Sequence, residues 1–298
     1  MFRNITVGQA VFGAAVTSLI MGGFVVVSRF GVSNLTSAAD LTFFRYLSGL
    51  ILLPVFLKRP IRNLGGIGWG RGIVIMILAG WCFNLVMMSG FKYAPAAHGA
   101  IFTPGTLPMF TALYSYFLFK ERLSVGRITG LMVLMGGLVT LGWGGLIESS
   151  PDAWKGDLLF LAASACWAAF TVSIRYWNID PVYGVSVVAV LSLVCFTPIY
   201  IFYFGSPFLD LPIGGIVLQL IYQGVFVGVI AVVLFTICIP VIGPARTALF
   251  MALVPVFGTL LGALILDEVP GTIEFGGIVL VIFGMLTAMG MRLPGNKS

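Results

Sequence analysis

The sequence predicts an all-α integral membrane protein of ten transmembrane helices, built as a 5+5 inverted-topology repeat. Three observations predict it. Hydrophobic residues are 59% of the chain and charged residues 9%, with mean hydropathy +1.10, whereas a soluble domain is about 25% charged. Apolar runs of about 20 residues, the length that crosses a bilayer as a helix, recur from end to end. They do not alternate polar and apolar as barrel strands do. Second, the stretch Pro108–Gly137 returns near the C-terminus: Pro108, Phe110, Glu121, Gly130 and Gly137 match Pro255, Phe257, Glu268, Gly277 and Gly284, every pair 147 apart. A period near half the chain marks two copies of one unit. Third, the basic residues are distributed unevenly between alternate loops.

Length and Gly, Pro or charge punctuation place the spans in order. Span one, 8–28, is the first apolar run; no cleaved-signal pattern precedes it. Span two, 41–57, carries Phe44-Arg45 and ends at Lys58-Arg59-Pro60. Span three, 72–91, runs from the glycine-rich stretch before Arg71 to Lys92. Span four, 97–119, follows Pro95 and ends at Lys120-Glu121-Arg122. Span five, 127–147, starts at Arg127 and stops at Glu148-Ser149-Ser150-Pro151-Asp152, the polar break between the copies. Span six, 156–178, follows Lys155, and span seven, 181–204, opens on Pro181. Span eight, 214–238, closes before Pro240. Span nine, 244–267, opens on Pro244 and ends at Asp267-Glu268, and span ten, 273–291, ends at Arg292. The repeats are then residues 1–150 and 151–298. Phe24 and Arg29 match Phe170 and Arg175 at offset 146, and Pro54 matches Pro198 at 144.

With a cytoplasmic N-terminus, twelve basic residues fall inside: Arg3, Lys58, Arg59, Arg62, Arg71, Lys120, Arg122, Arg127, Arg175, Arg246, Arg292 and Lys297. Only Arg29, Lys92 and Lys155 fall at the outer ends, and Arg45 lies inside a span. This is the positive-inside asymmetry. The net charge of +6 is thereby assigned to the inner membrane face and not to nucleic acid. Five spans per copy is odd, so the second copy enters from the opposite face, which places Glu121 inside and Glu268 outside. Cys82, Cys166, Cys195 and Cys238 stand singly in apolar runs and suit neither disulfides nor a metal. No cofactor is expected.

Polar residues within spans are costly and therefore informative. Trp81, Asn84 and Met88 share one face of span three. Gln219, Tyr222, Gln223 and Phe226 share one face of span eight. Such faces suit an aqueous cavity for a small zwitterion, and equally suit amides that bridge neighbouring helices. Trp167 and Thr171, one turn apart in span six, read as a cavity wall or as ordinary packing. Arg45, about one turn into span two, can snorkel to the outer interface or fix a carboxylate. His98, the one histidine, reads as a solvated helix-start residue; a proton relay would need a span-centre carboxylate, and none is present. Pro104 and Pro108 remove two donors from span four, so it should act as the hinge and bend more than span nine, where Pro255 faces Pro108 but Met251 faces Pro104. Gly126, Gly130, Gly137 and Gly144 form a stripe on span five that admits a close helix neighbour. Spans five and ten should be rigid supports, with a dimer surface as a second use.

The Pro…Glu hairpin, Phe44-Arg45, Trp167 and the five-plus-five plan together resemble the drug/metabolite transporter superfamily, in its EamA group. The resemblance covers nearly the whole chain. It implies ten helices around a central cavity and export of amino acids or other small metabolites, and it favours Trp167 as a cavity wall. Bacterial aromatic amino acid exporters of the YddG type are similar at Trp167. Their span-one tryptophan is replaced here by Met21-Gly22-Gly23, and their tryptophan before the span-four proline by Leu107.

No paired carboxylates, HExxH or GxSxG support an enzyme, and no charged ring or filter loop supports a channel. A sodium site would want several oxygen ligands. The expectation is a carrier of the bacterial inner membrane with both termini cytoplasmic, acting as a monomer on a small-molecule substrate by alternating access. A lipid or head-group flippase and a proton-coupled drug or metabolite antiporter are the rivals.

Overall fold

The structure, a computed structural model, describes residues 5–32, 37–94, 96–121, 123–141, 143, 151–205, 213–266 and 271–289. Arg122, Gly144, most of the break between the copies, Asp267 and Glu268 lie outside the described residues. Among those described, all regular structure is helical. Helix α1 is Val7–Val32. Helices α2 (Ala38–Tyr46) and α3 (Ser48–Leu57) meet at Leu47, and α4 (Trp69–Ala79) and α5 (Trp81–Gly90) meet at Gly80. Then come α6 (Ala96–Phe119), α7 (Val125–Leu141) and α8 (Ala153–Tyr176). Helix α9 (Pro181–Ile199) continues into a π turn, Tyr200–Phe204. Helix α10 (Ile213–Gln219), a π-helical run (Leu220–Ala231) and α11 (Val232–Ile242) form one rod. Helices α12 (Pro244–Met251) and α13 (Val254–Leu266) are joined by a turn, and α14 is Thr272–Ala288.

Among the described residues, seven stretches are long and apolar enough to cross a bilayer: Val7–Phe24, Ala38–Leu57, Trp69–Gly90, Ala153–Tyr176, Pro181–Phe204, Ile213–Ile242 and Pro244–Leu261. Helix α6 has 24 residues, about 36 Å at 1.5 Å per residue. Val125–Leu141 and Phe275–Ala288 are shorter apolar helices. Large side chains such as Leu50, Phe117, Met132, Phe202 and Leu264 lie exposed on the outside of the bundle, where hydrocarbon rather than water would meet them.

Helices α7 and α14 pack face to face. An added Cβ at Gly130 would lie 2.3 Å from the Ala288 nitrogen, and one at Gly284 would lie 2.4 Å from that of Leu134. The backbones touch, as small residues permit in a membrane. The span-five stripe is therefore occupied within the molecule at Gly130 and Gly137, while Gly126 faces open space. The remaining contacts come in exchanged pairs. Helix α6 packs on α8 as α13 packs on α1; α5 packs on α8 as α11 packs on α1; α2 packs on α5 as α9 packs on α11; and α3 packs on α9.

Regular helix fails at a few places, and at two of them a neighbour's hydroxyl repairs the break. At Gly80 the backbone turns out to φ −94, ψ −150. The Ser192 hydroxyl accepts from the Trp81 N–H at 3.2 Å, and the Tyr46 hydroxyl donates to the Ala79 carbonyl at 2.9 Å. A Cβ at Gly80 would lie 2.2 Å from the Met76 carbonyl oxygen and 2.3 Å from Ser192 Oγ, so only glycine fits. Between α12 and α13 the Ser18 hydroxyl donates to the Phe250 carbonyl at 2.6 Å. Irregular backbone in hydrocarbon survives only where protein satisfies it.

The two prolines of span four do not interrupt the helix in this conformation. Helix α6 runs unbroken through Pro104 and Pro108, whereas its counterpart breaks at Ala252–Leu253. Tertiary contact decides this. Helix α6 lies along α8 and is tied to it at two heights, by His98–Asp157 and Thr106–Ser164, with Glu121–Arg175 just past its end. Pro255, in contrast, falls in the first turn of α13, where a missing N–H costs nothing.

Candidate functional site

The irregular parts of α2, α5 and the π-helical run converge on one buried polar cluster. Arg45, in the last turn of α2, is 7% exposed. Its Nη1 donates to Asn84 Oδ1 at 2.6 Å and its Nε to Gln223 Oε1 at 3.3 Å. Its guanidinium carbon lies 5.4 Å from the centroid of the Phe24 ring on α1. Asn84 Nδ2 donates in turn to Thr42 Oγ1 at 2.9 Å. Arg45 thus does not snorkel to the interface: the amides of two other segments hold it, and Gly224 and Gly228 let the π-helical run close on α2. A Cβ at Gly228 would lie 2.8 Å from the Arg45 carbonyl oxygen.

The cluster is incompletely satisfied. Gln219 is 2% exposed, and neither its Nε2 nor its Oε1 has a partner; Gln223 Nε2, Trp81 Nε1 and Ser48 Oγ are also buried without one. Buried polar atoms nearly always have partners; these five orphans lie on α3, α5 and the span-eight rod, and Thr103 Oγ1, Ser115 Oγ, Trp167 Nε1 and Tyr183 Oη are orphans elsewhere in the bundle. The charge of Arg45 is likewise unanswered, since no ion pair among the described residues includes it. Asp40 on the same helix is occupied elsewhere, accepting from the Ser37 N–H, the Ser37 hydroxyl and the Tyr200 hydroxyl.

The other expected site residues divide. Met88 is buried one turn beyond Asn84. Trp81 stacks on Phe196, with centroids 5.5 Å apart. Tyr222 is half-buried and donates to the Ile20 carbonyl at 2.8 Å. Its hydroxyl stands where a Cβ on Gly23 would be, 2.3 Å away, so the Gly22-Gly23 pair lets Tyr222 and α13 approach α1. Trp167 sits in an aromatic group with Phe83, Phe170 and Phe235 at 5.0, 5.4 and 5.9 Å. The Thr171 hydroxyl is given to the Trp167 carbonyl. The structure therefore joins Arg45, Asn84 and Gln223 directly, with Gln219, Trp81 and Met88 within a turn or so along the same segments. It puts Trp167 and Thr171 in the packed interior beside Phe83 of α5.

His98 is buried rather than solvated, at 2% exposure, and pairs with Asp157 of α8 at 2.6 Å. The carboxylate lies at a helix start on the other half of the chain, not at a span centre. The opposite end of the bundle holds Arg59–Asp180 at 3.0 Å and Glu121–Arg175 at 2.7 Å, with Arg71 over Trp177. Sequence reasoning did not single out Thr42, Ser48, Tyr46, Gly80 or Ser192. Thr42, one turn from Arg45, carried a signal; Ser192 and Gly80 did so only as partners in space. No group of three or more potential metal ligands occurs among the described residues.

Comparison with known proteins agrees with this architecture. The model of the EamA-like transporter family matches in two stretches, residues 8–143 and 154–290. The uncharacterized transporter YetK of Bacillus subtilis (strain 168) is 24% identical over 211 residues, a match spanning 70% of this chain and 64% of that protein. A solved structure titled only as a crystal structure of a protein superposes with TM-score 0.74 at 18% identity, covering 96% of this chain and 99% of the other. That likeness shows the fold.

Proposed function

The chain belongs to the EamA-like transporter family, and from that premise we propose that it is a secondary carrier of small polar metabolites, amino acids among them, exporting them by alternating access through a site between two inverted repeats. The observation that carries the proposal is the buried, incompletely satisfied cluster of Arg45, Asn84, Gln219 and Gln223, set where backbone is irregular. Secondary transporters place substrate near the midplane, at broken helices on the interface of their repeats.

The inverted repeat is supported by the exchanged packing pairs and by a local correspondence at the site. Ser192 packs at Gly80, and Ser48 packs at Gly228, where a Cβ would lie 2.9 Å from the serine Cβ. Ser48 and Ser192 are 144 residues apart, the Pro54–Pro198 offset, and Gly80 and Gly228 are 148 apart. The positive-inside bias supports the reading in which the Arg59–Asp180 and Glu121–Arg175 end, and both termini, face the cytoplasm of a bacterial cell.

The test is paired proteoliposome assays, one following a labelled amino acid and one a fluorescent lipid. The carrier reading expects amino acid movement that Asn84→Ala lowers about tenfold or more per folded molecule, the folded fraction being read by thermal unfolding. Lipid movement without amino acid movement replaces it with a flippase.

A further inference from the structure

We propose that Arg45 is the docking point for a substrate carboxylate, so that the site selects organic acids and amino acids over amines and other cations. The inference rests on the carrier reading above and adds what the site recognises.

Four observations carry it. A guanidinium removed from water is costly unless an opposite charge or a full set of hydrogen bonds answers it. Arg45 has only two amide oxygens and the face of a phenyl ring. These neutral partners fix its orientation without cancelling its charge, and the carboxylate on its own helix, Asp40, is held by Ser37 and Tyr200. Second, α5 begins at Gly80, so Asn84, which holds Arg45, stands in the first turn at the positive end of that helix. Third, unpartnered donors lie on the same two segments that hold Arg45: Gln223 Nε2 on the side chain that accepts from it, Gln219 Nε2 one turn earlier, and Trp81 Nε1 three residues before Asn84. A carboxylate offers acceptor sites for about four hydrogen bonds, and the planar guanidinium is the side chain best matched to it.

Fourth, the charge belongs to one half only. At the offset of 144 that relates Pro54 to Pro198, Arg45 corresponds to Ala189, which is buried on α9 against α3. The second half builds the same helix without an arginine. A cation at that position is therefore not needed to build the helix itself.

The experiment measures binding to the purified chain by calorimetry, with two matched sets of probes. One is phenylalanine, 3-phenylpropanoate and 2-phenylethylamine; the other is leucine, 4-methylpentanoate and 3-methylbutylamine. In at least one set the wild type should bind both carboxylates about tenfold or more tightly than the amine. Arg45→Gln should close that gap to within about threefold, and Arg45→Lys, which keeps the charge but loses the fork, should keep the preference at weaker affinity. Equal binding of acid and amine by the wild type, no binding of any carboxylate, or a preference that survives Arg45→Gln would overturn the proposal. Should Arg45→Gln fail to fold, the wild-type panel and Arg45→Lys decide alone. Counterflow of the same amino acids separates the two readings. Counterflow with no acid preference removes only the carboxylate assignment, and lipid movement with no amino acid binding removes the carrier reading itself.

Discussion

Arg45 shows how a single side chain can be readable in kind and unreadable in place. The sequence put a cation about one turn into a span, from which its stem could have reached the interface. What buries it is the pair of amides at Asn84 and Gln223, from segments 39 and 178 residues away; no local pattern predicts such a meeting. The helical spacing did identify those amides as one face each. Gly80 is a second case, since nothing in Ala79-Gly80-Trp81 distinguishes a break from a tolerated glycine until Ser192 and Tyr46 are seen to complete it. Gly80→Ala should therefore destabilise the protein by about 2 kcal/mol or more, as overpacking against backbone does. Gly136→Ala, whose Cβ would meet nothing within 4 Å, should leave the melting temperature unchanged. Thermal unfolding of the two variants in one detergent checks this, and equal behaviour would mean that the bend at Gly80 does not depend on glycine.

Helix positions follow from apolar run lengths and punctuation; helix continuity does not, because it depends on what packs alongside. Two prolines within one turn pointed to α6 as the hinge, yet α6 is continuous and held along α8, while the joint lies at Ala252–Leu253 before Pro255. Pro255→Ala would supply an N–H for the Met251 carbonyl and favour a continuous rod. The initial transport rate should then fall severalfold with equilibrium binding nearly unchanged, and Pro104→Ala should have the smaller effect. Rates in proteoliposomes beside calorimetry distinguish the two; a larger loss from Pro104→Ala returns the hinge to α6. Ser18→Ala leaves the Phe250 carbonyl without the hydroxyl that caps the joint. It should cost about 1 kcal/mol of stability, read as a lower melting temperature.

At the scale of the whole molecule, the period of 147 and the charge bias together support the proposed two units of opposite orientation. The sequence could carry this because insertion depends on run length and loop charge, which are local properties. It could not carry the aromatic surroundings of Trp167, whose ring packs with Phe83, Phe170 and Phe235 and whose Nε1 is buried without a partner. In a chain cleared of Cys82, Cys166, Cys195 and Cys238, single cysteines at positions 121 and 268 should label from opposite membrane faces; labelling from the same face would end the inverted-repeat reading. The central claim is that the cluster around Asn84 is the substrate site, reached from each side in turn. Asn84 is fully buried in this conformation, so exposure requires the bundle to open. The direct measurement is modification of Asn84→Cys, in the same cleared background, by a small membrane-impermeant thiol reagent applied to each face of oriented vesicles. The account predicts reaction from both faces, slowed by a transported amino acid; no reaction from either face, or reaction from one face that the amino acid does not slow, would contradict it.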